Sequence, residues 1–539
     1  MTIFRKALTG NKIRLQLILI ALLLCPFPLL AQVATTASQA VAKPQSQAEL
    51  QARLTALLEQ PKFAHARWGI RIITSDGRAI FERDADKLFM PASNMKLYTT
   101  AATLDAFGPD LKFKTSVYAA GQVSRNGMLR GHLILYGRGD PNLSARFDLN
   151  AAGKPNPIDD FTPADKITAL EKLADQIQAR GIKLIQGDLI GDESYFATDG
   201  LGAGWEWDDL QFYYGASVSA LTVNDNAVTF TVKPAMRDGQ PPVITAQPIT
   251  SYVKIINHAT TSKGKDGKTH IGINRPLNSN DVEFFGNIPP GTKDFSTEIS
   301  VYDPASFAAT LLKEALARRG LRVLGRVQRM DAVARRTTPF DETKLAEIAS
   351  VESQPMSTLL KVINKPSQNL HTEMMLRQLG ELRGAPRELD DYGRPKSAES
   401  RGIEVLKQFL TKAGVDVTTL SLRDGSGLAR QDMISPRSTS QLLLFMSQHP
   451  HFAVYRDSLP VAGDGTLQRR MKGTAAEGNV HAKTGSLMSV RALSGYVTTK
   501  KGQMLIFSFL GNNYTGAGAD VTGVFDQICV LLAEYENDL

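Results

Sequence analysis

The stretch Pro91-Ala92-Ser93-Asn94-Met95-Lys96 decides how the rest of this 539-residue chain is interpreted. Apolar residues recur at helical spacing as far as Leu104, and Gly108-Pro109 ends the pattern, so a loop that opens a helix is predicted. Ser93 and Lys96 stand three residues apart and therefore share one face of that helix. A serine hydroxyl is a weak nucleophile until a base takes its proton, and a lysine whose pKa is lowered by burial and by the helix N-terminus can be that base.

Three further stretches give this pair its context, since a helix-capping serine followed by an exposed lysine has the same spacing. Lys365-Pro366-Ser367-Gln368-Asn369 stands at the predicted start of a helix, and Asp424-Gly425-Ser426-Gly427-Leu428 is a glycine turn. His481-Ala482-Lys483-Thr484-Gly485-Ser486 enters a predicted strand of the final sheet. Ser-x-x-Lys, Ser-x-Asn and Lys-Thr-Gly in this order form a specific set of acyl-transfer motifs.

The motif residues suit acyl transfer through a covalent serine intermediate. Ser93 is the expected nucleophile and Lys96 its base. Ser367 can relay a proton to the leaving amine while Lys483 holds the local charge, and Asn369 can hydrogen-bond a substrate amide.

The Lys-Thr-Gly strand is expected to bind the substrate. Lys483 and Thr484 suit a substrate carboxylate. Gly485 carries no side chain, so an extended substrate can lie along the strand as an added strand. The backbone N–H groups of Ser93 and Ser486 are the expected oxyanion hole.

Other chemistries fit the sequence less well. It contains no Gly-x-Ser-x-Gly elbow and no His-Glu-x-x-His pair, and its eight histidines are scattered. No metal and no cofactor are therefore expected. The chain has no concentrated basic stripe, which argues against a nucleic-acid partner.

The first 31 residues are predicted to be a secretory signal peptide. Arg5, Lys6, Lys12 and Arg14 precede the apolar run 15–24, and Ala31 offers a cleavage site, with a retained membrane anchor as the alternative. Removing these four positive charges reduces the formal charge from +8 to about +4. That modest charge would allow a loose association with an anionic polymer of the cell envelope.

The pattern of helix and strand signals predicts an α/β (α+β) fold. After the signal peptide the chain divides into three segments. Residues 32–112 carry a helix from Ala48 to Leu58, a strand–turn–strand unit and the Ser93 helix. Short strands and turns dominate residues 113–300, which predicts a mostly β insertion of two lobes. Helical periodicity returns over residues 301–539, and a terminal hairpin packs with a C-terminal helix.

At the motif residues the chain resembles the class C low-molecular-mass penicillin-binding proteins, which are D-alanyl-D-alanine carboxypeptidases and endopeptidases. The resemblance covers nearly the whole mature chain. Further matching stretches are 139–141, 205–215, 219–221, 224–226, 424–428 and 465–467. The resemblance implies a β-lactamase/transpeptidase-like domain that is split in sequence by the inserted lobes.

The same resemblance implies a periplasmic serine peptidase that acts on peptidoglycan stem peptides through an acyl-enzyme. β-Lactam antibiotics are then expected as covalent inhibitors, and the oligomeric state stays open. Two alternatives are a β-lactamase, which would hydrolyse its penicilloyl adduct quickly, and a non-catalytic peptidoglycan-binding protein that kept the fold. The complete set of motif residues argues against the second alternative.

Trp205, Asp208 and Tyr213 lie in the inserted region and have two interpretations. They are either a packed aromatic loop or a wall of the substrate pocket. As a pocket wall, an acidic group beside aromatic rings would suit a cationic amine, such as the free amino group of a stem peptide.

Overall fold

The computed structural model describes residues 44–143, 166–389 and 391–539. The expected signal peptide and its cleavage site lie outside the described residues. The α-helices of the described ranges are α1 Gln47–Leu58, α2 Met95–Phe107, α3 Thr168–Ala179, α4 Pro304–Arg318, α5 Met356–Asn364, α6 Asn369–Leu382, α7 Ala398–Lys412, α8 Pro436–Ser447, α9 Phe452–Ser458 and α10 Gly518–Ala533. None of them is both long and apolar enough to cross a membrane.

The strands of the described ranges form four sheets. They are β1 Arg67–Thr74, β2 Ala79–Arg83, β3 Lys114–Val123, β4 Met128–Tyr136, β5 Leu184–Ile185, β6 Leu189–Asp192, β7 Ala227–Lys233, β8 Val243–Gln247, β9 Lys254–Thr261, β10 His270–Asn274, β11 Asp281–Ile288, β12 Phe295–Ser300, β13 Arg322–Val323, β14 Val327–Met330, β15 Ala346–Glu352, β16 His481–Leu487, β17 Val490–Thr498 and β18 Met504–Asn512.

The first sheet joins the two ends of the chain. Its strand order is β16-β17-β18-β1-β2, and every neighbouring pair is antiparallel. After Arg67, β1 is buried on both faces because each face is covered. One face packs with α2 and with helices α5 to α9, and the other packs with α1 and α10. Cys529, on α10, is fully buried. The predicted strand–turn–strand unit, terminal hairpin and flanking helices are confirmed.

The inserted region carries the other three sheets. β13-β5-β4-β3-β15, with β6 and β14 attached, form a seven-stranded mixed sheet, while β12-β7-β8 and β10-β11-β9 are three-stranded. They share a separate apolar core with α3 and α4. The single strand that residues 184–190 suggest is divided into β5 and β6, because the chain turns at Gln186-Gly187-Asp188.

The expected end of the insertion at residue 300 does not coincide with a break in the sheets. α4, β13 and β14 continue the insertion's core, and β15 pairs antiparallel with β3. Judged by strand pairing, the inserted region therefore extends to about residue 352. Helical periodicity returns at α4, but this helix covers a sheet of the insertion rather than the first sheet.

Candidate active site

A strained turn delivers the Ser93 side chain to the edge of the first sheet. Ala92–Asn94 form a 3-10 turn that leads directly into α2. Ala92 is fully buried with φ of +47°, a left-handed conformation that is costly for a residue with a Cβ atom. The Asn94 side-chain amide donates to the Lys483 carbonyl at 2.9 Å, which ties the start of α2 to β16.

Lys96 is fully buried and makes three hydrogen bonds through Nζ. The partners are Ser93 Oγ at 2.9 Å, Asn369 Oδ1 at 2.6 Å and the Ser426 carbonyl at 2.8 Å. Burial lowers the pKa of Lys96 to about 7, although the nearby carboxylates Asp424 and Glu373 oppose that shift.

These three bonds orient the amine for proton transfer. The Asn369 amide oxygen and the Ser426 carbonyl can only accept hydrogen bonds. A neutral Lys96 amine has two N–H groups and one lone pair, so the two N–H groups go to these acceptors. The lone pair is then left facing the Ser93 hydroxyl, which is the arrangement of a general base.

Ser367 lies in a short break between two helices. Periodicity alone suggests helix over residues 355–382, but α5 ends at Asn364 and α6 starts at Asn369. Ser367 has φ of +67° in this break, and its Oγ accepts from Lys483 Nζ at 2.8 Å. Lys483 is fully buried, and burial followed by repulsion from Lys96 lowers its pKa well below the ordinary value.

Asn369 has a structural role in addition to the expected substrate contact. Its Oδ1 accepts from Lys96, and its Nδ2 donates to the Tyr214 carbonyl at 2.9 Å. The side chain lines the cavity but is engaged on both polar atoms. Asn369 therefore joins Lys96 to the inserted region.

Gly485 is needed for a reason that differs from the sequence argument. A Cβ atom there would lie 2.7 Å from the Pro91 carbonyl, so it would meet the turn before Ser93. The absent side chain thus lets β16 approach that turn closely. Thr484 and the exposed Ser486 line the cavity beside Gly485, and Thr484 Oγ1 lies 2.8 Å from Thr466 Oγ1.

A cavity of about 490 Å³ opens over these residues. Ser93, Ser367 and Asn369 line it together with the β16 residues 484–486. The loop of the inserted region contributes its opposite wall through Glu206, Asp208, Asp209, Tyr213 and Tyr214.

The structure separates the three loop residues that the sequence grouped. Asp208 and Tyr213 line the cavity, whereas Trp205 does not. Trp205 packs against the apolar core, and its indole N–H donates to Asp424 Oδ2 at 2.9 Å. The expectation of Trp205 as a pocket wall is therefore corrected, because this N–H binds a carboxylate behind the site.

Sequence reasoning singled out the turn that begins at Asp424, but it missed that two carboxylates lie behind Lys96. Glu373 and Asp424 are both buried, and neither lines the cavity. Asp424 accepts from the backbone N–H groups of Gly427 at 2.6 Å and Ala429 at 2.8 Å. The signal was present for Glu373, which is a charged residue directly before the apolar pair Met374-Met375 on α6.

The described residues contain no group of three or more histidine, cysteine or acidic side chains placed to hold a metal ion. The expectation that catalysis needs neither metal nor cofactor stays a prediction.

Comparison with known proteins gives a consistent set of matches. The sequence profile described as the D-Ala-D-Ala carboxypeptidase 3 (S13) family matches residues 50–535. A D-alanyl-D-alanine carboxypeptidase of Actinomadura sp. (strain R39) is 33% identical over 528 residues, which cover 95% of this chain and 90% of the relative. The D-alanyl-D-alanine carboxypeptidase DacB of Haemophilus influenzae is 24% identical over 82% of this chain and 84% of its own.

A solved structure shares the fold. The crystal structure of penicillin binding protein 4 (dacB) from Haemophilus influenzae superposes with a TM-score of 0.73 at 22% identity, covering 89% of this chain and 99% of that one. The predicted class, an α/β domain of the penicillin-binding kind with a large insertion, is thereby confirmed.

Proposed function

Because the chain belongs to the D-Ala-D-Ala carboxypeptidase 3 (S13) family, we propose that Ser93 removes the terminal D-alanine of peptidoglycan stem peptides through an acyl-enzyme. The observation that carries this assignment is the Ser93–Lys96 pair, in which a buried amine is held at 2.9 Å from the nucleophile by two obligatory acceptors. The chain is a serine-type carboxypeptidase, and the proposal concerns its substrate and the roles of its residues.

Acylation follows from the positions of the two lysines. Ser93 Oγ attacks the carbonyl carbon of the penultimate D-alanine, and its proton passes to Lys96 Nζ. The amide C–N bond then breaks, and the leaving amine takes a proton from Ser367 Oγ, which hydrogen-bonds Lys483 Nζ at 2.8 Å. The proton that Lys96 took from Ser93 then restores the Ser367 hydroxyl, so acylation leaves no net charge on the enzyme. Water finally hydrolyses the Ser93 ester and frees the enzyme.

The substrate is expected to lie along the outer edge of β16. In the sheet order β16 pairs with β17 and forms an edge of the first sheet, so an extended peptide can add to it beside Ser93. Thr484 and Ser486 then face the C-terminal carboxylate. A cross-linked peptide differs only in its leaving amine, so endopeptidase cleavage would use the same acyl step.

The cavity wall of the inserted loop suggests which stem peptides are preferred. Asp208 is exposed in the cavity and lies beside Tyr213 and Tyr214. A carboxylate flanked by aromatic rings attracts a cation. We infer a preference for stem peptides whose side chain ends in a free amino group.

The enzyme is proposed to act in the periplasm. Support comes from the basic residues and the apolar run 15–24 at the start of the chain. A fractionation of cells that express the full chain, together with N-terminal analysis of the exported form, tests this proposal; protein retained in the cytoplasm would contradict it.

The central experiment is to incubate the protein with a fluorescent penicillin and to map the labelled peptide by mass spectrometry. A stable adduct on Ser93, together with D-alanine release from a D-Ala-D-Ala peptide, is the expected result. Rapid penicillin hydrolysis without a lasting adduct would favour a β-lactamase. Folded protein that neither labels nor releases D-alanine would instead indicate a binding protein.

A further inference from the structure

Glu373 connects helix α6 to the glycine turn that follows Arg423. Its Oε1 accepts from the backbone N–H groups of Gly425 at 2.9 Å and Ser426 at 2.8 Å. Its Oε2 accepts from Arg377 Nη1 at 3.0 Å. Both carboxylate oxygens are thus engaged in a site from which water is excluded, so the turn and the helix are held in one geometry.

The same turn holds the catalytic base. The N–H of Ser426 binds Glu373, and the carbonyl of Ser426 accepts from Lys96 Nζ at 2.8 Å. Ser426 therefore links the Glu373 carboxylate to the Lys96 amine through its own backbone N–H and carbonyl groups. A displacement of residue 426 would move one of the two acceptors that turn the Lys96 lone pair toward Ser93.

The charges around Lys96 come from several elements. Asp424 in the turn and Glu373 on α6 both favour its protonated form, and Lys96 in turn lowers the pKa of Lys483 on β16. Behind them, Asp432 interacts with Asp424, and Glu399 on α7 forms an ion pair with Arg377 at 3.4 Å. Lys96 is thus balanced between burial, which favours the neutral amine, and carboxylates, which favour the cation.

We propose that Glu373 is a positioning residue for acylation: its carboxylate fixes the Ser426 carbonyl against Lys96 and places a negative charge behind that amine. This inference rests on the proposed acyl transfer at Ser93. Glu373 does not line the cavity, so it acts on the reaction through Lys96 rather than through the substrate.

The variant Glu373→Gln separates the charge from the anchoring bond. The glutamine carbonyl can still accept from residues 425 and 426, whereas the negative charge is lost, and with it the bond from Arg377, because an amide N–H₂ group cannot accept. Removing a negative charge near a lysine lowers the lysine's pKa. Burial and repulsion from the Asp424 carboxylate raise the pKa of Glu373 to about 7, so the charge that Glu373→Gln removes is present mainly above pH 7. Acylation requires the neutral amine, so the part of the acid limb at and above pH 7 should move to lower pH by roughly 0.5 unit.

The matched control is Glu381→Gln. Glu381 lies on the same helix, has a side chain that is 6% exposed, and forms ion pairs with Arg401 at 2.6 Å and Arg387 at 3.0 Å. It has no contact with the glycine turn in the described structure. Its loss should change the melting temperature but leave the acid limb at the wild-type pH.

The experiment measures the second-order rate of penicillin acylation from pH 5 to 9 for the wild-type protein and both variants, with each rate normalised to folded protein by circular dichroism. An acid limb that is shifted in E373Q but not in E381Q supports the proposal. A uniformly slower rate with an unshifted limb overturns it, since a purely structural role predicts that result. Absence of acylation in the wild-type protein would instead defeat the proposed function.

A second variant covers the case in which E373Q does not fold. Glu373→Asp keeps the charge but is one methylene shorter, so it holds the two N–H groups less well. We expect a slower acylation whose acid limb stays at the wild-type pH. A limb displaced in E373D as far as one pH unit would overturn the proposal, because the charge is retained there.

Discussion

At the scale of single residues, Lys96 shows how a functional group is kept in an unfavourable environment. The fold encloses its amine completely and lowers its pKa to about 7. The unfolded chain would keep that lysine protonated up to its ordinary pKa of 10.5. Reactivity toward Ser93 is therefore linked to a cost in folding stability at neutral pH.

This linkage predicts how stability depends on pH. Between pH 7 and 10.5 the unfolded lysine binds more proton than the folded one, so the wild-type protein should gain stability as pH rises. Relative to Lys96→Met, the gain should be about 1.4 kcal/mol per pH unit. Urea denaturation of both proteins at pH 7.5 and 9 measures the difference, and acylation should be abolished in the variant.

The control for this experiment is Lys500→Met, because Lys500 is an exposed lysine paired with Glu536 at 2.7 Å. The difference in unfolding free energy between Lys500→Met and the wild-type protein should not change between pH 7.5 and 9. A Lys96→Met difference that is equally constant would show that the Lys96 amine is not held neutral.

Asp208 allows a test of substrate preference at the same scale. Replacing it with asparagine removes the charge that faces the cavity and keeps the shape of the side chain. Turnover of a peptide with a free side-chain amine should fall about tenfold, which corresponds to the loss of one exposed ionic contact. The N-acetylated form of the same peptide serves as the control, and an equal loss on both peptides would contradict the preference.

At the scale of elements, the site depends on two loops that touch. The glycine turn passes so close to the turn before Ser93 that a Cβ atom on Gly427 would lie 1.9 Å from the Ala92 carbonyl. Ala92 itself has φ of +47°. This close contact helps to hold the left-handed conformation of Ala92, so the position of Ser93 depends on Gly427, which is far away in the sequence.

Gly427→Ala should therefore damage the site as well as the fold. We expect a loss of about 2–4 kcal/mol in unfolding free energy and at least tenfold slower penicillin acylation. Gly414→Ala is the matched control, because Gly414 has a similar φ of +77° but no neighbouring atom within 4 Å of the position that an added methyl group would occupy. That control should lose only about 1 kcal/mol and acylate normally; equal acylation by both variants would contradict this account.

The elements also show where sequence patterns stop being informative. The Ser93 helix, the paired strands β1 and β2 and the C-terminal hairpin are set by local periodicity and turns, and they were predictable. The break that presents Ser367 was not, because it is held by contacts from other parts of the chain. The Ser426 carbonyl was equally hidden, since backbone acceptors leave no mark in a sequence.

At the scale of the whole molecule, the inserted region is joined to the catalytic loops by buried polar contacts. Asp225 accepts from Gln368 Nε2 at 2.9 Å and lies 2.8 Å from His371 Nε2. The Tyr214 carbonyl accepts from Asn369. The insertion thus supports the segment that carries Ser367, in addition to forming one wall of the cavity.

Asp225→Asn tests this support without altering any residue that lines the cavity. The asparagine N–H₂ group would face the Gln368 amide or the His371 ring, so one hydrogen bond is lost in a buried site. We expect a loss of about 1–3 kcal/mol in unfolding free energy and about tenfold slower acylation. Thermal melting and penicillin labelling provide the two readouts.

Asp281→Asn is the control from the same region, because Asp281 lies on β11 and its side chain forms a 3.8 Å ion pair with Lys254 at the surface. It should leave both readouts unchanged. Normal acylation by D225N despite a lower melting temperature would show that the insertion does not position the catalytic loop.

The distances along the chain between bonded partners have a consequence for biosynthesis. Lys96 binds the carbonyl of a residue 330 positions later, and Asn94 binds the Lys483 carbonyl 389 positions later. A growing polypeptide holds Ser93 from the start but lacks the acceptors that orient its base until nearly all of the chain has been synthesised. We therefore expect the nascent protein to be unreactive toward penicillin, so that penicillin labelling of newly made chains reports the completion of folding.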